Sequence, residues 1–304
     1  MSGAYLTAMS DTTITERMSR GLRRVIPRRF RRDIPIVPVV RLSGVIGFST
    51  PLKPGLTISL VARPLERAFA WRNAKAVALV INSPGGSAVQ SHLIFQRIRQ
   101  LAEEHQRPVI GFVEDVAASG GYMIACATDE IICDASSIVG SIGVIGGSFG
   151  FPRLIEKLGI ERRLYTAGER KAMLDPFLPE NPDDVARIKA IQQDIHAGFI
   201  ALVKGRRGPA LTGSDELVFS GEYWAGRKAI ELGLADGVGD VRSTLRQRFG
   251  ENVVMPLVVG ERGWFGRTKP AIGGSSFGDL IGPGFADEIV SAIEARALWS
   301  RYGF

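Results

Sequence analysis

The chain has 304 residues, 45% of them hydrophobic, and a net charge of +7. That length admits one large domain or two small ones, with the composition of an ordinary packed core. No run approaches the roughly 18 uninterrupted apolar residues of a membrane span, no signal peptide is evident, and two cysteines exclude a disulfide framework.

Taken in chain order, residues 1–33 come first. They hold eight arginines against Asp11, Glu16 and Asp33, a net +5 that leaves only +2 for the rest. This basic N-terminal arm reads either as a flexible, solvated segment or as one lying on an anionic membrane surface. Met18, Leu22, Val25, Ile26 and Phe30 interleave with its arginines, which is the pattern the second reading rests on. No aromatic–basic pattern elsewhere supports nucleic-acid binding.

From 34 to 257 strand and helix signals alternate, which predicts an α/β domain with a mostly parallel sheet and surrounding helices. Strands are expected at 36–42, 45–48, 77–81, 109–113, 130–133 and 161–165. Helices are expected at 56–72, 89–105, 119–127, 152–158, 183–206 and 222–232, and segments 240–249 and 253–257 complete the core. Val89, Leu93, Ile94, Ile98 and Leu101 recur at helical spacing, and Asn181-Pro182-Asp183 is a helix start signal. Residues 258–304 form a glycine-rich linker and a C-terminal helix over 286–299. Cys126 and Cys133 read as buried, reduced thiols, and no His or Cys is spaced to make either a metal ligand. No metal site and no cofactor site is expected; the glycines at 140, 143, 146 and 147 do not form a dinucleotide fingerprint.

Two segments carry chemistry. Ile81-Asn82-Ser83-Pro84-Gly85-Gly86 follows a buried strand and must turn sharply. Ala118-Ser119-Gly120-Gly121-Tyr122 follows another strand and opens a helix, so the Ser119 hydroxyl would sit beside free backbone N–H groups. The bland alternative for Ser119 is a helix N-cap. Two glycines directly after it lower helix propensity, for which close approach of a substrate is a reason. Gly86 and Gly120 are the best candidates for oxyanion donors, with Gly85 supporting the turn. A nucleophilic serine needs a base. His92, His105 and His196 all fall within helices rather than at strand ends, so a Ser-His-Asp triad is not expected. A neutral lysine can replace histidine if it is desolvated or crowded by positive charge. Lys171 in Ala167-Gly168-Glu169-Arg170-Lys171-Ala172 reads, taken alone, as a surface loop lysine. Ser141 in Gly140-Ser141-Ile142-Gly143 reads equally well as a turn serine.

In combination, Ile81–Gly86, Ala118–Tyr122, Val139–Val144, Lys171 and the stretch from Phe219 to Asp236 resemble the serine peptidase family of signal peptide peptidase A and SohB, within the Clp protease/crotonase fold. The similarity runs from about Val37 to Gly239. The resemblance implies that Ser119 is the nucleophile, that Lys171 is the general base of a Ser-Lys dyad, and that Ser141 orients the lysine. Here Ala172-Met-Leu-Asp-Pro176 follows the lysine at a position where the family has a small residue and a proline. Arg170 cannot take the role, because a guanidinium stays charged. The resemblance further implies a serine endopeptidase cutting hydrophobic peptides, including remnant signal peptides. It implies a cyclic homo-oligomer in which one protomer's lysine serves another's serine. With no membrane span or signal peptide evident, the expected location is the cytoplasm, or the inner face of the membrane if the arm binds lipid. Two rivals stand beside it. A crotonase-type acyl-CoA hydratase or isomerase would want acidic residues at the chemistry, and a catalytically inactive membrane-associated scaffold would keep only the fold.

Overall fold

A computed structural model describes residues 34–47, 55–259 and 296–303. The basic arm and most of the expected linker and C-terminal helix lie outside these residues. Strands β1 (Val39–Ser43), β2 (Val77–Ser83), β3 (Val109–Ala118), β4 (Glu130–Cys133) and β7 (Gly237–Val238) run parallel, in that spatial order. Strand β5 (Ile138–Gly140) joins β3 in parallel, and β6 (Tyr223–Ala225) pairs antiparallel with β5. The helices are α1 (Ile58–Phe69), α2 (Ala88–His105), α3 (Gly120–Ala125), α4 (Pro152–Lys157), α5 (Pro182–Arg207), α6 (Asp215–Val218), α7 (Gly226–Glu231) and α8 (Val241–Phe249). The expected α/β class with a mostly parallel sheet is what the chain forms.

β2 shows why its sequence reads as an unbroken apolar run. Val77, Leu79 and Ile81 enter one core cluster with Leu65 and Phe69 of α1 and Ile94 and Ile98 of α2. Ala78 and Val80 enter a second cluster with Ile110, Phe112, Ile132 and Leu245. Both faces of the strand are covered, so alternation disappears from the sequence, as parallel strands require. The helix starts are built as the sequence suggests. Ser87 accepts a bond from the Gln90 amide at the start of α2, and Asn181 accepts one from the Asp183 amide with Pro182 as the first residue of α5. Both cysteines are buried free thiols. Burial pushes the Cys126 thiol up to about 12, so it stays protonated and inert.

β3 is the longest strand because it serves two partners. Ile110–Val113 pair with β4, and Val116–Ala118 pair with β5. The expected strand stopped at Val113; the added residues carry the chain to Ser119. Two expected strands are corrected. At 45–47, Gly44 and Gly47 have φ of 106° and 87°, and only isolated bridges of Ile46 to Leu56 and Gly86 remain; residue 48 lies outside the described residues. Residues 161–165 are exposed and unpaired, because no sheet edge lies beside them. Segment 253–257, expected to complete the core, does so through buried Val253 and through bridges of Val254 to Ile36 and of Leu257 to Val39.

The glycine pair after Ser119 also has a reason different from the expected one. A Cβ on Gly120 would lie 2.2 Å from Ser91 Oγ, and one on Gly121 would lie 2.4 Å from the Ser83 carbonyl oxygen. Close packing of α3 on β2 and α2 demands both glycines. Gly121→Ala therefore costs roughly 1–3 kcal/mol by overpacking. A chemical-denaturation midpoint unchanged from the parent would contradict this packing account.

Candidate active site

Ser119 sits between the end of β3 and the first turn of α3. Its φ of 53° and ψ of −121° are a strained conformation for a residue with a side chain. The backbone is held there from both sides. The Ser119 amide donates to the Gly140 carbonyl at 2.9 Å, and its own carbonyl accepts from the Met123 amide at 3.0 Å. Its side chain makes no capping bond, so the N-cap alternative does not describe it.

The turn after β2 is pinned against this point. The Ile46 amide donates to the Gly85 carbonyl, and the Ser87 amide donates to the Ile46 carbonyl, each at 2.8 Å. The Gly85 amide donates to Ser83 Oγ at 3.2 Å, so it belongs to the turn. Gly85 also lies against the serine, since a Cβ there would be 2.8 Å from Ser119 Cβ and 2.9 Å from the Gly120 nitrogen. The two ladder bonds of Ile46 go to the neighbours of Gly86 and leave the Gly86 amide outside the pairing. Among the described residues, the Gly86 and Gly120 amides carry no hydrogen bond. The Gly120 amide follows the serine directly and the Gly86 amide follows the glycine that touches it, and unpaired donors of this kind can stabilise the oxyanion of an acyl transfer.

Ser141 arrives by strand register. β3 and β5 pair Ala118 with Gly140, so Ser119 and Ser141 each lie one residue beyond a paired position. Ser141 has the same positive φ of 53°, and its amide donates to the Glu222 carbonyl at 2.6 Å. The following turn is held by His196, on α5, whose Nε2 lies 3.0 Å from the Ile142 carbonyl. A carbonyl only accepts, so Nε2 carries the hydrogen. The sequence places His196 on a helix but gives no hint of this contact. His92 stacks near Phe95, and His105 lies tilted beside Phe69.

Lys171 lies on the arm between β5 and α5, in a turn closed by its own amide bonding the Gly168 carbonyl at 3.2 Å. It is exposed, and its side chain makes no hydrogen bond or ion pair with Ser119, Ser141 or any other described residue. Within this single chain, Ser119, Ser141, Gly85, Gly86 and Gly120 come together, and Lys171 is not joined to them. The arm is strongly apolar for a surface. Phe149 is 79% exposed, Leu158 63% and Tyr165 88%.

A further residue reaches the site from the C-terminal segment. Tyr302 donates its hydroxyl to Ser141 Oγ at 3.2 Å, 161 positions away in sequence. No local pattern signals such a contact.

Residues 102–250 match the family model of Peptidase family S49. Ser119, Gly120, Ser141 and Lys171 fall inside that match, and Gly85 and Gly86 precede it. A Brucella abortus protein named Na(+)/H(+) antiporter NhaA is 54% identical over 286 residues, covering 93% of this chain and 39% of that protein. Transport is said there of a protein most of whose length lies outside the match. Among the described residues here, no helix is long and apolar enough to cross a membrane. The probable protease SohB of Buchnera aphidicola is 33% identical over 183 residues, 60% of this chain and 53% of that one. The chloroplastic serine protease SPPA of Arabidopsis thaliana is 32% identical over 209 residues, 67% of this chain and 30% of that one. The chain thus spans well under two thirds of each of these relatives. With the family match covering the serine, the lysine and the strands that frame them, the chain belongs to peptidase family S49, the signal peptide peptidase A and SohB serine peptidases.

Proposed function

We propose that this chain is a serine endopeptidase that works through a Ser119–Lys171 dyad. The observation that carries the reading is Ser119 itself, strained and uncapped, packed against Gly85 and followed directly by the unpaired amide of Gly120. Ser119 Oγ attacks a peptide carbonyl while neutral Lys171 takes its proton. The Gly86 and Gly120 amides hold the oxyanion. As the tetrahedral intermediate collapses, Lys171 returns the proton to the departing amine. Water, deprotonated by the same lysine, then releases the acyl group from Ser119. Ser141 Oγ orients the lysine amine. The substrates are extended peptides rich in apolar residues, remnant signal peptides among them.

The lysine comes from a neighbouring protomer. Support lies in the exposed apolar side chains of the arm that bears it and in its lack of a partner within its own chain. Apolar surface of this extent calls for a covering partner. A second copy seated on the arm would also remove Lys171 from water, which favours the neutral amine that a base must be. Head-to-tail contacts of this kind close into rings.

The test mixes two inactive proteins, Ser119→Ala and Lys171→Ala, under conditions of subunit exchange. Interfaces that pair an intact serine with an intact lysine regain hydrolysis of a fluorogenic peptide, reaching roughly a quarter of the parent rate for random pairing in a head-to-tail ring. The recovered rate rises with pH as an amine base sheds its proton. No recovery, with exchange shown independently, places both residues in one chain. Full activity of Lys171→Ala alone removes the dyad.

A further inference from the structure

The C-terminal segment closes on the site serine that the mechanism assigns to the lysine. Tyr302 donates to Ser141 Oγ at 3.2 Å. Its ring meets Tyr223 edge to face, with centroids 5.0 Å apart. Tyr223 in turn donates its hydroxyl to the Arg301 carbonyl at 2.9 Å. Tyr223 belongs to β6, which pairs with β5 at Gly140, so the clasp is anchored on the strand that delivers Ser141. Two hydrogen bonds and an aromatic pair thus fix residues 301 and 302 from a single point on the sheet. Burial lifts the Tyr302 phenol above its ordinary value, and the phenol therefore remains a neutral donor through the physiological range.

The position matters because a hydroxyl oxygen has two lone pairs and limited space around them. A lysine amine that is to be steered by Ser141 must share the same hydroxyl that Tyr302 holds. We propose that residues 301–302 are an internal stopper: Tyr302, clasped by Tyr223, occupies Ser141 and keeps the base out until the C-terminal segment lifts. The proposal rests on the reading of Ser141 as the group that orients Lys171. A segment tethered to its own chain acts at high effective concentration, so even these few contacts hold the closed form. The observed rate then scales with the fraction of open molecules.

Tyr302→Ala in the full chain removes the hydroxyl and the ring, and Tyr302→Phe removes the hydroxyl alone. Two measurements are made on each. The first is the rate of tryptic cleavage after Arg301, read by mass spectrometry, which reports release of the segment without reference to activity. The second is kcat/KM for a fluorogenic peptide together with the rate of Ser119 labelling by a fluorophosphonate. Tyr302→Ala accelerates all three by roughly three- to ten-fold, and Tyr302→Phe by less, as expected for the loss of one or two weak contacts. Faster tryptic release with unchanged or lower kcat/KM overturns the proposal and makes Tyr302 a bystander or a positioning residue. Unchanged tryptic release also overturns it. Faster release in a protein that hydrolyses nothing in any form supports the docking of the segment and counts against the peptidase reading instead.

Discussion

Ser119→Ala lowers peptide hydrolysis by roughly four to six orders of magnitude and leaves the fold intact, because the nucleophile is lost and only the oxyanion donors remain. Ser119→Gly is equally inactive but gains about 1 kcal/mol of stability. The reason is the backbone. At φ 53° and ψ −121° a side chain is strained, and glycine is not. Strain of this sort costs on the order of 1–3 kcal/mol and is offset in part by the greater freedom of glycine in the unfolded chain. The opposite signs are the useful part. The stability gain comes from the backbone whatever the side chain does, whereas a serine with only a structural role would leave hydrolysis intact. Peptide hydrolysis and denaturation midpoints of the two variants decide it, and appreciable hydrolysis by either removes Ser119 from the chemistry.

Asp236→Ala destabilises the protein by about 1.5–3 kcal/mol, the range for losing hydrogen bonds to a charged group, because the arginine is buried while the carboxylate is partly open to solvent. Arg207 is the group left stranded. Its side chain is only 8% exposed. Burial works against its charge and is the largest single influence, but the Asp236 hydrogen bond and charge together with Tyr122 and Cys126 outweigh it and hold the pKa above its usual value. The carboxylate accepts from both terminal nitrogens at 2.8 and 2.9 Å and from the Ile131 amide at 2.7 Å. Arg207 also donates twice to the Gly233 carbonyl. Replacing the pair by apolar residues is therefore no remedy here, because the Ile131 amide and the Gly233 carbonyl would lose their partners as well. The pair joins the end of α5 to the turn after α7 and to β4. Nearby, the buried Tyr122 donates to the Leu234 carbonyl from within α3, three residues from the nucleophile. Urea unfolding measures the loss, and a change under 1 kcal/mol would show that solvent reaches the guanidinium.

The motif Ala229–Asp236 was legible as a pattern, and its physical content is this ion pair rather than any contact with substrate. The long periodic elements were equally legible. α2 and α5 differ from expectation by one residue at most at each end, and β4 is as expected, because their burial patterns repeat over enough residues to be read. β5, β6 and β7 are two or three residues long and carry no period at all. The unpaired stretch 161–165 misled for the converse reason. Its residues suit a strand, yet a strand exists only where a partner offers its edge. The serine and the turn glycines were placed by strand ends and turn chemistry, both local. Tyr302 and the His196 contact were not, because they depend on segments brought together only by the finished fold. The C-terminal segment, expected as a separate helix, reaches Ser141 and Tyr223 through residues 301 and 302.

The forked strand β3 has a consequence for how this site tolerates change in length. Ser119 and Ser141 are 22 positions apart in sequence, yet their separation in space is set by the pairing of Val116–Ala118 with Ile138–Gly140. The loops between Cys133 and Ile138, or between α3 and β4, are free to lengthen or shorten in descendants without moving either serine. A single residue added inside either three-residue rung would turn one serine to the opposite side of the sheet. The geometry of the site is thus indifferent to most of the chain that separates its parts and intolerant of one inserted residue at six positions.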